Sequence, residues 1–296
     1  MLAVAMLAAG CKKEPAPADS PGGGAGDTAA TENPLCVYSV ADGRQVRLAM
    51  GNLQYQPSTQ TWRIAPHAWD AANEDNLYAS AATERWIDVF GWGASGYDGQ
   101  LPYDHYASNG EYYHDGDIAG TQYDWGVHNP IVNGDRADPA GTWRTLTMQE
   151  WDYMLNQRSA SVVDGVADAR YLYVTIGEYA GILVFPDNFE MPQGVVLASA
   201  ASINKPEQYS YNPLLESEWD MLAAAGCAFM PASGFKVMSS GQMASYGITG
   251  AYWTASNGGT SELGNIAHQL LFFPSAVQFT PTGVQYPRSV RLAKDL

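Results

Sequence analysis

The run Ala267-His268-Gln269-Leu270-Leu271-Phe272-Phe273 restricts the fold more than any other part of this chain. Side chains on a strand alternate between faces, so Gln269, Leu271 and Phe273 share one side and Leu270 and Phe272 the other. This is not the apolar-in, polar-out alternation of a strand with one wet face. Either both faces are covered, or one face displays apolar groups to a ligand. The segments around it, Tyr252-Trp253-Thr254-Ala255 before and Ser289-Val290-Arg291-Leu292 after, read as ordinary buried strand.

The rest of the chain supplies short strands and little helix. Residues 36–40 and 46–50 flank Asp42-Gly43, a hairpin signal, and residues 52–56 and 61–64 form a second pair. Further strands are predicted at 171–176, 181–185, 228–231, 252–255, 267–273 and 289–292. One helix starts at Thr147, which caps it, with Glu150 completing a capping box and Trp151, Met154 and Leu155 on one face. A second covers residues 216–225, carries Trp219 and Leu222, and stops at Gly226. Residues 84–90 read as a short helix or turn. Gly91-Trp92-Gly93 opens a Gly-, Tyr- and Asp-rich region reaching about residue 141, too long for a casual connection and ordered by its aromatics. Two main helices, many short and mostly antiparallel strands and long ordered loops define an α+β class. Residues 35–296 form one domain without a tandem repeat.

The N-terminus reads as an address. A short apolar run over residues 2–9 leads into Leu7-Ala8-Ala9-Gly10-Cys11, a lipobox pattern, where small residues precede a cysteine whose thiol takes a diacylglycerol. The run is too short to span a bilayer. Residues 1–11 are therefore assigned as a lipoprotein signal ending at the acylated Cys11. Residues 12–34, rich in Pro, Ala and Gly, form a flexible linker. Such an anchor holds a protein on a membrane without burying its domain there. The formal charge of −16 excludes the basic footprint of a nucleic-acid binder. The 18 Tyr and 9 Trp suit contact with a protein or a glycan instead. Export permits a disulfide between Cys36 and Cys227, but both lie in apolar runs, where two buried free thiols fit as well.

Catalytic and metal signals are weak. Asp115-Gly116-Asp117, with Asp98, Asp104 and Asp124 nearby, lacks the full Asp-x-Asp-x-Asp-Gly calcium loop and reads as turn-forming carboxylates. No Cys/His spacing matches a zinc site, so neither metal nor cofactor is expected. Asp88, Asp98, Asp115, Asp117 and Glu150 are the carboxylates a glycosidase would need by type alone, and Glu150 is better explained as a helix cap. His105, His114, His128 and His268 stand at no spacing that implies a nucleophile or metal partner. No catalytic residue is assigned, and an exported hydrolase is the weakest reading.

Several segments together carry a family resemblance: Gly141-Thr142-Trp143-Arg144-Thr145-Leu146-Thr147 before Glu150-Trp151, Leu183-Val184-Phe185-Pro186-Asp187, Phe229-Met230-Pro231-Ala232-Ser233-Gly234-Phe235, Tyr252-Trp253-Thr254-Ala255-Ser256, and Ser289-Val290-Arg291-Leu292. In this order they resemble Bacteroidetes surface lipoproteins with a C-type-lectin-like domain, many of them variable proteins of diversity-generating retroelements. That fold is related to a phage receptor-binding protein and to formylglycine-generating enzymes. The catalytic cysteine pair of those enzymes is missing here, since Cys227 stands alone late in the chain. The resemblance implies a protein exported and lipid-anchored to the bacterial outer membrane, exposed at the surface. It implies ligand binding through a variable region, about residues 250–292, set on a constant scaffold. Tyr252, Trp253, Leu270, Phe272, Ser289, Val290, Arg291 and Leu292 match the constant part. Thr254, Ala255, Asn257, Asn265, His268, Gln269, Leu271, Phe273, Pro274, Ala276 and Gln278 fall at variable, ligand-facing positions. It also implies that Gln269, Leu271 and Phe273 form the display face. A fixed adhesin or polysaccharide-binding lipoprotein of the same fold is the alternative.

Overall fold

The computed structural model describes residues 33–71, 76, 79–104, 113–237, 242–262 and 264–296. The signal, Cys11, the linker up to residue 32 and His105 lie outside the described residues.

Among the described residues the strands assemble into five small sheets. One runs β1 (Tyr38–Ala41), β2 (Arg44–Leu48), β17 (Leu292–Asp295) and β7 (Arg144–Thr145), joining the two ends of the domain. A second runs β3 (Leu53–Gln56), β4 (Thr61–Ile64), β5 (Ile131–Asn133) and β6 (Arg136–Asp138). A third runs β10 (Pro213–Leu214), β8 (Tyr171–Ile176), β9 (Tyr179–Val184) and β11 (Ala228–Pro231). Strands β12 (Phe235–Lys236) and β13 (Met243–Ala244) form a short ribbon. The last sheet is an antiparallel meander of β14 (Gly250–Ser261), β15 (Gly264–Phe273) and β16 (Ala276–Gly283). The α-helices among the described residues are α1 (Trp125–His128), α2 (Met148–Asp152) and α3 (Glu216–Ala224). The class is α+β.

Local chemistry set the helix ends as the sequence predicts. Thr147 Oγ1 accepts from the Glu150 amide at 3.2 Å, and Glu150 Oε2 accepts from the Thr147 amide at 2.9 Å. Beyond α2 a π-helical turn, Tyr153–Gln157, keeps Met154 and Leu155 in the core. Gly226 ends α3 at φ +95°, and a Cβ there would lie 2.4 Å from the Leu35 carbonyl oxygen. Glycine is required on both counts. Asn33, assigned to the linker by sequence, is structural: its Nδ2 donates to the Ala223 and Ala224 carbonyls at 2.7 and 2.9 Å, closing the C-terminus of α3. Among the described residues no helix is long and apolar enough to cross a membrane.

Three expectations are corrected. Residues 84–90 are neither helix nor turn but an extended strap, with Ile87 bridged to Tyr55 and Phe90 to Arg288. Residues 289–292 are not a separate strand. Ser289 bridges Tyr252 in parallel, and Val290 and Leu292 accept from the Leu53 and Ala49 amides, so the segment lies between the C-terminal sheet and the N-terminal hairpins. Residues 276–283, placed inside the variable region with no strand predicted, are the outer strand β16. Cys36 and Cys227 are buried free thiols, and burial pushes Cys36 up to about 11.

The C-terminal meander lies between two parts of the core. Tyr252, Leu270 and Phe272 pack with Trp151, Met154 and Leu155. Trp253, Ala255 and Ala267 pack with Trp62, Trp92, Trp125 and Val290 on the other side. Both faces are therefore covered over much of β14 and β15, and each fully buried Leu or Phe there contributes about 1.5–3 kcal/mol. Arg291, wholly buried, donates to the Ala49 and Phe229 carbonyls at 2.8 and 2.9 Å and to Asn52 Oδ1 at 2.8 Å. It ties β2, β11 and the last segment together.

Candidate functional site

Register decides which side chains of the meander meet. Gln269 pairs with Thr280, Leu271 with Gln278 and Phe273 with Ala276, so these six side chains stand on one face. Val277 and Phe279 turn to the opposite face and pack on the core behind. The Pro274-Ser275 turn is fixed by Tyr173, whose hydroxyl lies 3.0 Å from the Phe273 carbonyl oxygen and 2.9 Å from that of Ala276. Burial holds the Tyr173 phenol well above its usual value, so it stays a donor.

Along β15 burial on this face loosens toward the turn. Ala267 is fully buried and Gln269 is 6% exposed, whereas Leu271, Phe273 and Ala276 are half-buried and Gln278 is exposed. Gln269 is fully engaged: its Oε1 accepts from Arg288 Nε at 2.6 Å and its Nε2 donates to Thr280 Oγ1 at 3.2 Å. The Arg288 guanidinium carbon sits 4.9 Å from the Phe235 ring centroid and 6.0 Å from that of Trp253. Burial pulls its pKa down to about 10, so it remains a cation at neutral pH.

Of the eleven positions singled out by sequence, the structure gathers Leu271, Phe273, Ala276 and Gln278 into one accessible patch, with Pro274 in the adjoining turn. Three are corrected from ligand-facing to interior. Thr254 is fully buried and its Oγ1 donates to the His268 carbonyl at 2.8 Å. Ala255 is fully buried among tryptophans. Gln269 is held by Arg288, so its display role does not stand. Asn257 fastens a loop: its Nδ2 donates to Tyr113 Oη at 2.7 Å and its amide to Asp117 Oδ1 at 2.8 Å. Asn265 is half-buried near the far end of β15. His268 lies on the face opposite the patch, half-buried, with Nδ1 enclosed and unpartnered.

The carboxylates weighed for catalysis are dispersed. Glu150 binds Arg144 at 2.8 Å and Arg44 at 2.7 Å beside a cleft of about 570 Å³, so its charge is spoken for. Asp117 serves Asn257, and Asp124 is buried, accepting from the Thr145 amide and hydroxyl at 2.9 Å each. Among the described residues no group of three or more His, Cys, Asp or Glu is placed to hold a metal ion.

Sequence reasoning missed β16 and with it Thr280. The signal was present: Val277-Gln278-Phe279-Thr280 alternates with period two. Pro281 concealed it, because proline lacks a ladder donor, and it is tolerated here because β16 is the edge strand. No family model, curated protein or solved structure matches the chain.

Proposed function

We propose that this chain is a surface-displayed, ligand-binding lipoprotein with a C-type-lectin-like fold, anchored through Cys11, that contacts a protein or glycan with the patch formed by Leu271, Phe273, Ala276 and Gln278. One observation carries the reading. Leu271 and Phe273 stay only half-buried on β15, while Leu270 and Phe272 behind them are wholly buried. Two apolar side chains on a rigid strand supply contact energy without an ordering cost, and Gln278 adds an adaptable hydrogen-bonding group.

The chain is further proposed as the diversified target of a diversity-generating retroelement, on the constant-variable-constant layout of residues 250–292. The DNA beyond the gene tests this. A near-copy of the 3′ coding region differing mainly at adenines, beside a reverse-transcriptase gene, supports it. Absence of both from an intact locus removes diversification and leaves binding. The interior placement of Thr254, Ala255 and Gln269 favours the second reading, a fixed adhesin or polysaccharide-binding lipoprotein, because changes there would disturb the core. Sister strains then show no concentration of changes at the patch.

Binding itself is tested with the full chain on protein and glycan arrays, beside Leu271→Asp and Phe273→Ser. Both variants are expected to lose the captured ligand while unfolding at the same denaturant concentration as the parent. Retention of every captured ligand by both variants refutes the patch.

A further inference from the structure

A second cleft, of about 430 Å³, shares no residue with the C-terminal patch. Its size falls in the range of small-ligand sites, roughly 300–1,000 Å³. Five separate segments build it: β3 and β4 give Gln54 and Arg63, the connection after β4 gives Trp69 and Asp70, the strap gives Trp86 and Asp88, the start of β9 gives Tyr179, and the turn after β13 gives Tyr246. The convergence of aromatic rings from distant parts of the chain is a property of the fold that no local pattern encodes.

The walls are aromatic and fixed. Trp69 lies nearly parallel to Tyr179, with centroids 5.4 Å apart and planes at 9°, and nearly parallel to His67 at 5.5 Å. The Arg63 guanidinium carbon stands 3.7 Å from the Trp86 ring centroid and its Nε donates to Gln54 Oε1 at 2.8 Å. Tyr246 is 49% exposed, so its ring is available to a ligand. The polar groups are also held in place. Asp70 Oδ2 accepts from the His67 amide at 3.2 Å, and Asp88, at 1% exposure, accepts from Asn76 Nδ2 at 2.6 Å. The phenols of Tyr179 and Tyr246 are raised by burial and by the surrounding acidic groups, so both are neutral and able to donate.

The charge pattern selects the ligand class. An anion entering the cleft meets Asp70 and Asp88, and a cation meets Arg63. A neutral ligand with hydroxyls satisfies both, because a hydroxyl donates to a carboxylate and accepts from a guanidinium. A C–H face on the same ligand matches the exposed ring of Tyr246. We propose that this cleft is a binding site for a neutral saccharide unit, with the exposed ring of Tyr246 as its apolar wall and Asp70 and Arg63 as its hydroxyl partners. The site stands on its own residues and does not depend on the C-terminal patch.

Titration of the full chain with soluble neutral glucan, mannan, galactan and xylan oligosaccharides, followed by tryptophan fluorescence and calorimetry, tests the assignment. At least one of these is expected to bind. Tyr246→Ala and Asp70→Asn each weaken that binding about tenfold or more, Tyr246→Phe retains it, and Val196→Ala, at an exposed position outside the cleft, leaves it unchanged. Tyr246 is exposed enough that its truncation leaves the fold intact, which an unchanged unfolding curve verifies. Failure of every neutral oligosaccharide to bind overturns the proposal. So does affinity that ignores Tyr246→Ala and Asp70→Asn, or a cleft that takes choline or an oligogalacturonate instead.

Discussion

Gly250→Ala probes the contact that sets the C-terminal meander. Gly250 pairs with Phe272 across β14 and β15, and a Cβ on it would lie 1.9, 2.3 and 2.4 Å from three atoms of the Phe272 ring. Carbon atoms in contact stand about 3.5–4.0 Å apart, so the nearest approach is short by roughly 1.6 Å. The ring cannot withdraw freely. Phe272 is fully buried, lies near-parallel to Tyr252 at 6.0 Å and meets Tyr173 edge-on at 6.4 Å. Overpacking costs about 1–3 kcal/mol, and disturbing an aromatic pair adds about 0.5–1.5 kcal/mol. The expected loss is about 2–4 kcal/mol in guanidinium unfolding followed by tryptophan fluorescence. Phe272→Leu removes the three overlapping ring atoms and by itself costs about 1–2 kcal/mol. With the clash gone, Gly250→Ala added to Phe272→Leu should cost less than about 1 kcal/mol further. The two changes are thus non-additive by about 2 kcal/mol. A single Gly250→Ala loss below about 0.5 kcal/mol, or simple additivity in the double variant, refutes the reasoning.

Two further outcomes follow from the same geometry. Thr147→Ala removes the side-chain acceptor of the Glu150 amide and should cost about 1 kcal/mol of unfolding free energy, whereas Thr147→Ser should cost little. Asp124 is completely buried, and burial raises its carboxyl to about 6 against the opposing pull of the Thr145 hydrogen bonds. A folded value above the unfolded one means the native state keeps a proton that the unfolded chain has already released. Its stabilising contribution is complete below about pH 4 and is lost as pH rises through about 6. Stability should therefore fall across that window by up to about 3 kcal/mol, and Asp124→Asn should flatten the difference. Identical pH profiles for parent and variant would contradict the assignment.

What the sequence made legible was chemistry that acts over a few residues. The Asp42-Gly43 hairpin, the Thr147 and Glu150 box and the Gly226 stop all appear as read. The two helices and the strand spans at 171–176 and 228–231 follow from the same local rules. Features set by distant partners were not legible. Residues 84–90 are extended because Tyr55 and Arg288 offer backbone partners, not because of their own propensities. Gln269 is interior because Arg288, nineteen residues later, reaches it. Asn257 looked like a ligand-facing amide, yet its partners are Tyr113, His114, Gly116 and Asp117, more than a hundred residues earlier. The aromatic cleft could not be inferred at all, since its rings come from segments that no period connects.

The ambiguous run at 267–273 has a physical explanation in the way β15 leaves the core. Ala267 fills a position between the tryptophans, Gln269 closes the edge of that layer by binding Arg288, and Leu271 and Phe273 extend past it. The change from interior to surface takes place along one face, not between two faces. A period-two analysis compares faces and is blind to a gradient along one of them. The polar pair at the boundary has a definite effect. Arg288 between Phe235 and Trp253 holds Gln269 in register, so the strand cannot slide by a residue without breaking both contacts. The behind-facing Leu270 and Phe272 oppose the same slip, because it would carry them to the exposed side. The proposed contact surface, only a few side chains wide, is thereby set on a strand whose position is fixed from behind and from one end. On the proposed function, substitutions at 271, 273, 276 and 278 would alter what is bound without altering where it is presented.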